Sequence, residues 1–297
     1  MLNSLGREIP EYIEGIGKLE PFQGALTKLS KGWMDEPTIP APNKAYLPHQ
    51  SKLCKTLEEA IIRSNPHNGM TVSFHHHLRN GDILLVQTLT ILHNMGIREI
   101  TLASSSLNEC HDPILPYLVD GTVTRIFSSG IRSELGHAIS KGVLDTPVVI
   151  HSHGGRVRCI HTGKIRIDLA VIPASAADCE GNATGSHGKS AFGSIGYAVI
   201  DARYAKQVIV VTDNLVNFPC IPLSISQNFI DHVVLVDSIG DASKIATGTT
   251  RITNSPMDLR IAKLAADVIE HSGFFVPGFA FQVGAGGASL AVAKFIR

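Results

Sequence analysis

Three histidines, an arginine and an aspartate crowd into one short segment, Ser73-Phe74-His75-His76-His77-Leu78-Arg79-Asn80-Gly81-Asp82. Imidazole and guanidinium groups at that density can bind anions, move protons or hold a metal ion. Successive residues of a strand face opposite ways, so three consecutive histidines cannot all reach one ion, and the segment is read without a metal. Two readings remain. Either His75, His76 and Arg79 bind carboxylates or other anions beside a helix N-terminus, or the segment is a turn whose imidazoles bond backbone.

A second concentration is His151-Ser152-His153-Gly154-Gly155-Arg156. If extended, His151 and His153 share a face, but no acidic third ligand accompanies them. With two glycines permitting close backbone approach, His151, His153 and Arg156 could meet a polyanionic substrate; the alternative is a pair of hydrogen-bonded histidines at a strand end. Ser104-Ser105-Ser106 and Ser128-Ser129-Gly130 add hydroxyls and amides, with Ser105, Ser129 and Gly130 as ligand donors or helix caps. No Gly-x-Ser-x-Gly elbow surrounds them, so no serine nucleophile is assigned.

Asp178-Cys179-Glu180-Gly181-Asn182 is followed by Gly185, Gly188, Gly193 and Gly196. That density of glycine reads as a loop across the mouth of a crevice, with Asp178 and Asn182 as ligand candidates. Near the C-terminus, Gln282-Val283-Gly284-Ala285-Gly286-Gly287-Ala288-Ser289 reads as strand, tight turn and helix start. Amides at Gly284, Gly286 and Gly287 could cradle a phosphate or an oxyanion. The glycine spacing is not a dinucleotide fingerprint, and the Gly-Lys-Ser/Thr of a P-loop is missing.

The elements that must position these groups follow from hydrophobic period. From Met70, short β-branched runs alternate with amphipathic ones, the pattern of βαβ units and a parallel sheet. Strands are expected over 71–75, 99–103, 122–127, 148–151, 169–172, 208–212 and 233–236, with helices over 83–95, 131–141 and 202–206. The near-continuous apolar strands 208–211 and 233–236 call for burial on both faces. Ser255, Pro256, Asp258 and Gly273 bracket a helix with an apolar stripe at Ile261, Leu264, Ala265, Val268 and Ile269. A strand over 279–283 and another helix should follow it. The constellations after strands 71–75, 99–103, 122–127 and 148–151 then share the carboxyl edge of one sheet, where open α/β folds bind ligands.

Three divisions are expected: an extended arm over 1–52, a first α/β domain over 53–254, and the start of a second over 255–297. Pro37, Pro40, Pro42 and Pro48 deny the arm a helix, and it could wrap a partner chain. One helix, one strand and part of a second helix cannot enclose a core, so the last division is expected to complete itself with further residues or another chain.

The chain's 297 residues include 26 Lys plus Arg and 26 Asp plus Glu. That balance removes the basic field that draws proteins to nucleic acid or anionic membranes. Five scattered cysteines without a Cys-x-x-Cys pair, no apolar leader and no long apolar run lead to an expected cytoplasmic location.

Taken together, Gly69-Met70-Thr71-Val72-Ser73-Phe74-His75-His76, Leu102-Ala103-Ser104-Ser105-Ser106-Leu107, His151-Ser152-His153-Gly154-Gly155-Arg156-Val157, Gly193-Ser194-Ile195-Gly196-Tyr197-Ala198 and Gly286-Gly287-Ala288-Ser289-Leu290-Ala291-Val292 resemble the alpha chain of citrate lyase. The resemblance runs from about residue 53 to the end. It implies an open parallel-sheet, three-layer α/β/α domain of the coenzyme A transferase type, with the start of a second similar domain. It implies exchange of acetate for citrate on an acyl-carrier thioester. The donor would be the phosphoribosyl-dephospho-coenzyme A group of the carrier chain, or acetyl-coenzyme A, with no cofactor held tightly by this chain.

Implied partners are the beta (lyase) and gamma (acyl carrier) chains, in a complex where this chain forms a homo-oligomer. In related transferases the attacking glutamate lies in the second domain, so no residue here is given that role; in the citrate lyase class exchange is held to need no covalent enzyme intermediate. His75, His76, Arg79, His151, His153 and Arg156 would meet citrate or the prosthetic-group phosphates. Gly284, Gly286 and Gly287 would meet the oxyanion or pantetheine arm, as the second domain's counterpart of 73–82. Other readings of the same crevice are a different acyl-CoA:carboxylate transferase, a non-catalytic ligand sensor and a sugar-phosphate isomerase.

Overall fold

The computed structural model describes residues 1–3, 5–14, 16–19, 40–41, 43–44, 50–245, 252–284 and 286–296. It divides into two compact units, Met1–Ile245 and Ala246–Arg297.

In the first unit a short hairpin, β1 (Tyr12–Ile13) and β2 (Gly17–Lys18), precedes the main sheet. Most of the expected arm, including Pro37, Pro42 and Pro48, lies outside the described residues. Its described part is tied to its own chain: Ala41 N donates to Arg203 O, and Lys44 pairs with Asp231 at 3.0 Å.

The main sheet contains β3 (Leu53–Cys54), β4 (Thr71–Phe74), β5 (Ile100–Ser104), β6 (Val123–Ser128), β7 (Val149–Ile150), β8 (Leu169–Ala174), β11 (Gln207–Thr212) and β13 (His232–Leu235). Their order is β3-β13-β11-β8-β4-β5-β6-β7, and every pairing is parallel. From β4 the chain winds outward through β5, β6 and β7, then returns to β8 on the other side of β4. The winding direction therefore reverses between β4 and β8, the place where such sheets open a ligand crevice at their carboxyl edge.

Side-chain alternation explains the layers. In β8, Leu169 and Val171 enter one core while Ala170 and Ile172 enter the other; in β11, Ile209 and Val211 oppose Val208 and Val210. The first core is closed by α1 (Leu57–Arg63), α2 (Leu84–Asn94), α3 (Leu115–Val119) and α4 (Ser133–Ser140). The second is closed by α5 (His153–His161) and α6 (Ala198–Tyr204). This is the three-layer α/β/α arrangement expected from the buried apolar strands.

Two expectations need correction here. The segment after His151 does not stay extended, because Ser152 Oγ accepts the Gly155 amide at 3.0 Å and starts α5 at His153. His151 and His153 therefore do not share a strand face. The glycine-rich segment is not one open loop either: β9 (Ala176–Asp178) and β10 (Ala183–Thr184), both buried, form a small sheet with β12 (Leu215–Val216). Gly188, at φ +103°, lies where a Cβ would come within 2.3 Å of Ser175 O, so glycine is required for that close crossing. A short helix, α7 (Ala242–Ile245), ends the unit.

The second unit holds α8 (Pro256–Glu270) and α9 (Gly287–Phe295). The Ser255 cap and Pro256 start are as the sequence requires. The buried face is not the expected stripe, however. Ala262 and Ala266 are buried, whereas Ile261, Leu264 and Val268 are 55%, 57% and 70% exposed. Small side chains let α9 approach closely at Ala291, and no sheet among the described residues of this unit covers the bulky residues. Residues 279–284 form no strand, since a strand needs a pairing partner and this unit offers none among its described residues.

Candidate active site

On the second face of the sheet, the ends of β4 and β5 carry small residues, Ser73 and Ala103, while Val72, Phe74 and Leu102 beside them enter the first core. The room they leave is filled by the Arg156 guanidinium from α5. Arg156 donates to both Asp201 oxygens, at 2.8 and 2.7 Å, to Ser73 Oγ at 2.9 Å and to Ala103 O at 3.2 Å. Ser73 Oγ also donates to Asp201 Oδ2, and His75 Nε2 lies 2.8 Å from that oxygen. Arg156 is 2% exposed and Asp201 0%. Burial alone would raise the Asp201 carboxyl, but the Arg156 charge, helped by His75, holds it well below the usual carboxylate range.

This corrects the expectation for Arg156. Its charge and its donor geometry are consumed by Asp201, so it is not available to pair with a substrate carboxylate. Its partner, Asp201, escaped the sequence reading. The available signal was a lone carboxylate inside the apolar run Tyr197-Ala198-Val199-Ile200-Asp201-Ala202.

Above this pair sits a cluster of rings. His76 lies 6.1 Å from His153 and 5.8 Å from Tyr197 between ring centres; His153 lies 5.3 Å from Tyr197. His77 stacks on His76 at 5.8 Å and meets Phe192 at 5.3 Å. Ser105 Oγ accepts the His76 amide at 3.0 Å and lies 2.6 Å from His76 Nδ1. Ser105 thus engages Nδ1 of His76 and leaves Nε2 as its second ring nitrogen. Burial, reinforced by His153 and His75, lowers the His76 pKa to about 4; burial likewise lowers His77 to about 3. Both rings are neutral at pH 7 and act as single N–H donors.

Along the same edge, His151 follows β7 and Ser129 follows β6, and both carry a buried side-chain atom without a hydrogen-bond partner, Nε2 and Oγ. His75 Nδ1, Asn80 Oδ1 and Asp213 Oδ1 share that condition. All five follow strands at the carboxyl edge, where a ligand could complete them. Gly130 closes the Ser128 turn, its amide donating to Ser128 Oγ at 3.3 Å. By contrast, a concavity of about 600 Å³ lined by Glu99, Thr101, Arg125 and Thr146 lies at the amino edge of β5 and β6, away from these groups.

Arg79 stands in the short 3₁₀ segment His76–Gly81 with φ 51°, a left-handed conformation rare for its type. Cys110 Sγ donates to its carbonyl at 3.2 Å. Asp82 ends the segment by accepting the Leu84 amide at 2.8 Å and facing His111 Nε2 at 3.1 Å. Asn108 N donates to His111 Nδ1 at 2.9 Å, so the ring keeps a lone pair there and directs its proton on Nε2 to Asp82. His111→Phe removes both bonds and should lower stability in urea unfolding by about 1–3 kcal/mol.

Asp178 and Asn182 are not at the ring cluster. The Asp178 carboxylate accepts the amides of Glu180, Gly181, Asn182 and Cys220 and the Asn182 side chain, all at 2.8–3.1 Å. Asn182 in turn holds Gln227 at 3.0 and 3.1 Å. Both are buried and are engaged in anchoring the loop. In the second unit, Gly286 and Gly287 open α9 without a side-chain cap, and Gly284 lies beside Ser289; Ala285 lies outside the described residues. Among the described residues no three His, Cys, Asp or Glu side chains are grouped to hold a metal ion. No helix among them is long and apolar enough to cross a membrane.

The fold with its carboxyl-edge crevice is of the coenzyme A transferase type: an acyl-CoA transferase from Escherichia coli O157:H7 superposes with a TM-score of 0.52 over 75% of this chain and 56% of its own, at 12% identity. Residues 50–297 match the family model "Citrate lyase, alpha subunit (CitF)". The chain belongs to that family. The citrate lyase alpha chain of Escherichia coli (strain K12) is 48% identical over 260 residues, covering 86% of this chain and 51% of that protein. A Streptococcus mutans chain assigned as a citrate lyase alpha subunit, and solved in complex with citrate, superposes with a TM-score of 0.86 at 44% identity over 99% of this chain and 56% of its own. The chain spans about half the length of the curated relatives it matches.

Proposed function

We propose that this chain carries the citrate-recognising part of a citrate lyase transferase, which exchanges acetate for citrate on a thioester. The observation that carries the reading is the 44% identical Streptococcus mutans chain solved with citrate. The carboxyl edge supports it with neutral N–H donors and unpartnered polar atoms, a chemistry suited to several carboxylates at once.

In the exchange, a citrate carboxylate oxygen attacks the acetyl thioester carbonyl, and the carrier thiolate leaves as a mixed citric-acetic anhydride forms. The thiolate then attacks the citryl carbonyl of that anhydride, yielding citryl thioester and releasing acetate. No net proton is consumed. The residues' work is orientation and charge stabilisation: His76, with Nδ1 engaged by Ser105, would bring Nε2 to citrate, His153 stands at the start of α5, and Ser129 and His151 offer their unpartnered atoms to citrate oxygens. Arg79 would pair with a citrate carboxylate.

The same reading supplies the partners: an acyl-carrier chain bearing a coenzyme A-like thioester, with acetyl-coenzyme A as the small substitute, and a lyase chain that cleaves the citryl product. It includes a homo-oligomer of this chain within that complex. A cytoplasmic location accords with five free cysteines. Incubating the full-length protein with citrate and acetylated carrier chain should shift the carrier's mass from acetyl to citryl thioester. Citrate binding without that shift would indicate a sensor, and conversion of a phosphosugar an isomerase; either refutes the proposal.

A further inference from the structure

We propose that Asp201 is a positioning residue for citrate, acting through Arg156 and Tyr197 on the His76 and His153 rings. This rests on the citrate reading above. The two helices of the second face are built alike. On α5, His153 and Arg156 are three residues apart; Tyr197, immediately before α6, and Asp201 are four apart, with the Asp201 amide donating to Tyr197 O at 3.3 Å. Each pair spans one helical turn on one face, so each helix sets a ring at its amino-terminal, outer end and a charge one turn further inward. The inward charges meet as the bidentate pair, and the outward rings meet at 5.3 Å.

The two levels are coupled. The Arg156 guanidinium carbon lies 5.9 Å from the centre of the Tyr197 ring, which also contacts His76. Arg156 ties β4 through Ser73, β5 through Ala103 and α6 through Asp201. One guanidinium thus fixes α5 against three other elements, and the register of His153 over His76 follows from it. Apolar residues could hold those helices together equally well, because a buried ion pair contributes little to stability over a packed apolar substitute. What the pair adds is a fixed bidentate geometry.

The test compares kinetic constants in the full-length protein assembled with its carrier and lyase chains. Wild-type formation of citryl thioester must be seen first; its absence would overturn the citrate reading itself. The double variant Arg156→Met with Asp201→Leu removes both charges at similar volume. It is expected to unfold cooperatively near the wild-type temperature, with the KM for citrate raised about tenfold or more and the KM for the acetyl thioester unchanged. A purely structural role would lower kcat through the folded fraction and leave the citrate KM alone. A folded double variant with wild-type citrate KM overturns the proposal. Should the double variant not fold, Tyr197→Leu, at a half-buried position, decides: it should reproduce the rise in citrate KM, and a wild-type value there overturns the proposal equally.

Discussion

An Asp201→Ala chain is expected to lose about 3–5 kcal/mol of stability, because it strands the buried Arg156 charge without its carboxylate partner. Arg156 is 2% exposed and its donors were shared among Asp201, Ser73 and Ala103. Removing the carboxylate deletes two charge-assisted bonds from Arg156 and one each from Ser73 and His75. In thermal unfolding followed by circular dichroism, a loss of that size lowers the midpoint by roughly 10 °C for a unit of this length. The double replacement of Arg156 and Asp201 by apolar residues should recover most of it. A midpoint within a degree or two of wild type for Asp201→Ala would mean that the buried pair is not formed in solution.

Asp178→Ala is expected to cost about 3 kcal/mol or more, for a related reason. Its carboxylate is the shared acceptor of four backbone amides and one side-chain amide, and alanine leaves those donors buried without partners. The bonds tie the turn 178–182 to Cys220, so the small sheet of β9, β10 and β12 should loosen first. Urea unfolding would register the loss, and amide exchange would place it in residues 176–184 and 220. Citrate affinity should not change in the variant at temperatures where it remains folded. A large fall in affinity with unchanged stability would return Asp178 to the ligand set.

The fold was legible wherever a single period dominated. The near-continuous apolar run Val208 to Val211 announced a strand buried on both faces, and the cap and proline of α8 announced the start of that helix to the residue. Elements that depend on one polar contact were harder to see. Thr56 caps α1 by accepting the Glu59 amide, and Glu59 returns a bond to the Lys55 amide, yet this Thr-x-x-Glu signal sits in a helix of one turn and three residues. Gly154 and Gly155 disguised the start of α5 as an extended strand end, although Ser152 was the cap that starts it.

Of the site, the strand-end location of His75, His76, Ser105, Ser129 and His151 was readable, since all follow apolar strands of one parallel sheet. Which polar groups face a ligand and which face each other was not. Arg156, Asp178 and Asn182 are chemically the same groups whether they bind substrate or saturate one another. Only the long-range partner, Asp201 for Arg156 or Cys220 and Gln227 for the loop, separates the two cases. The exposed stripe on α8 was missed for a different reason: period locates an apolar face but not the surface that covers it.

The central claim is that citrate is held at the carboxyl edge of the main sheet, beside the His76, His153 and Tyr197 rings. Histidine ring signals in a citrate titration followed by nuclear magnetic resonance test it most directly. The signals of His76 and His153 should move saturably, while those of His67, before β4, and His161, at the far end of α5, should stay in place. Saturable citrate binding that leaves His76 and His153 unmoved would contradict the account.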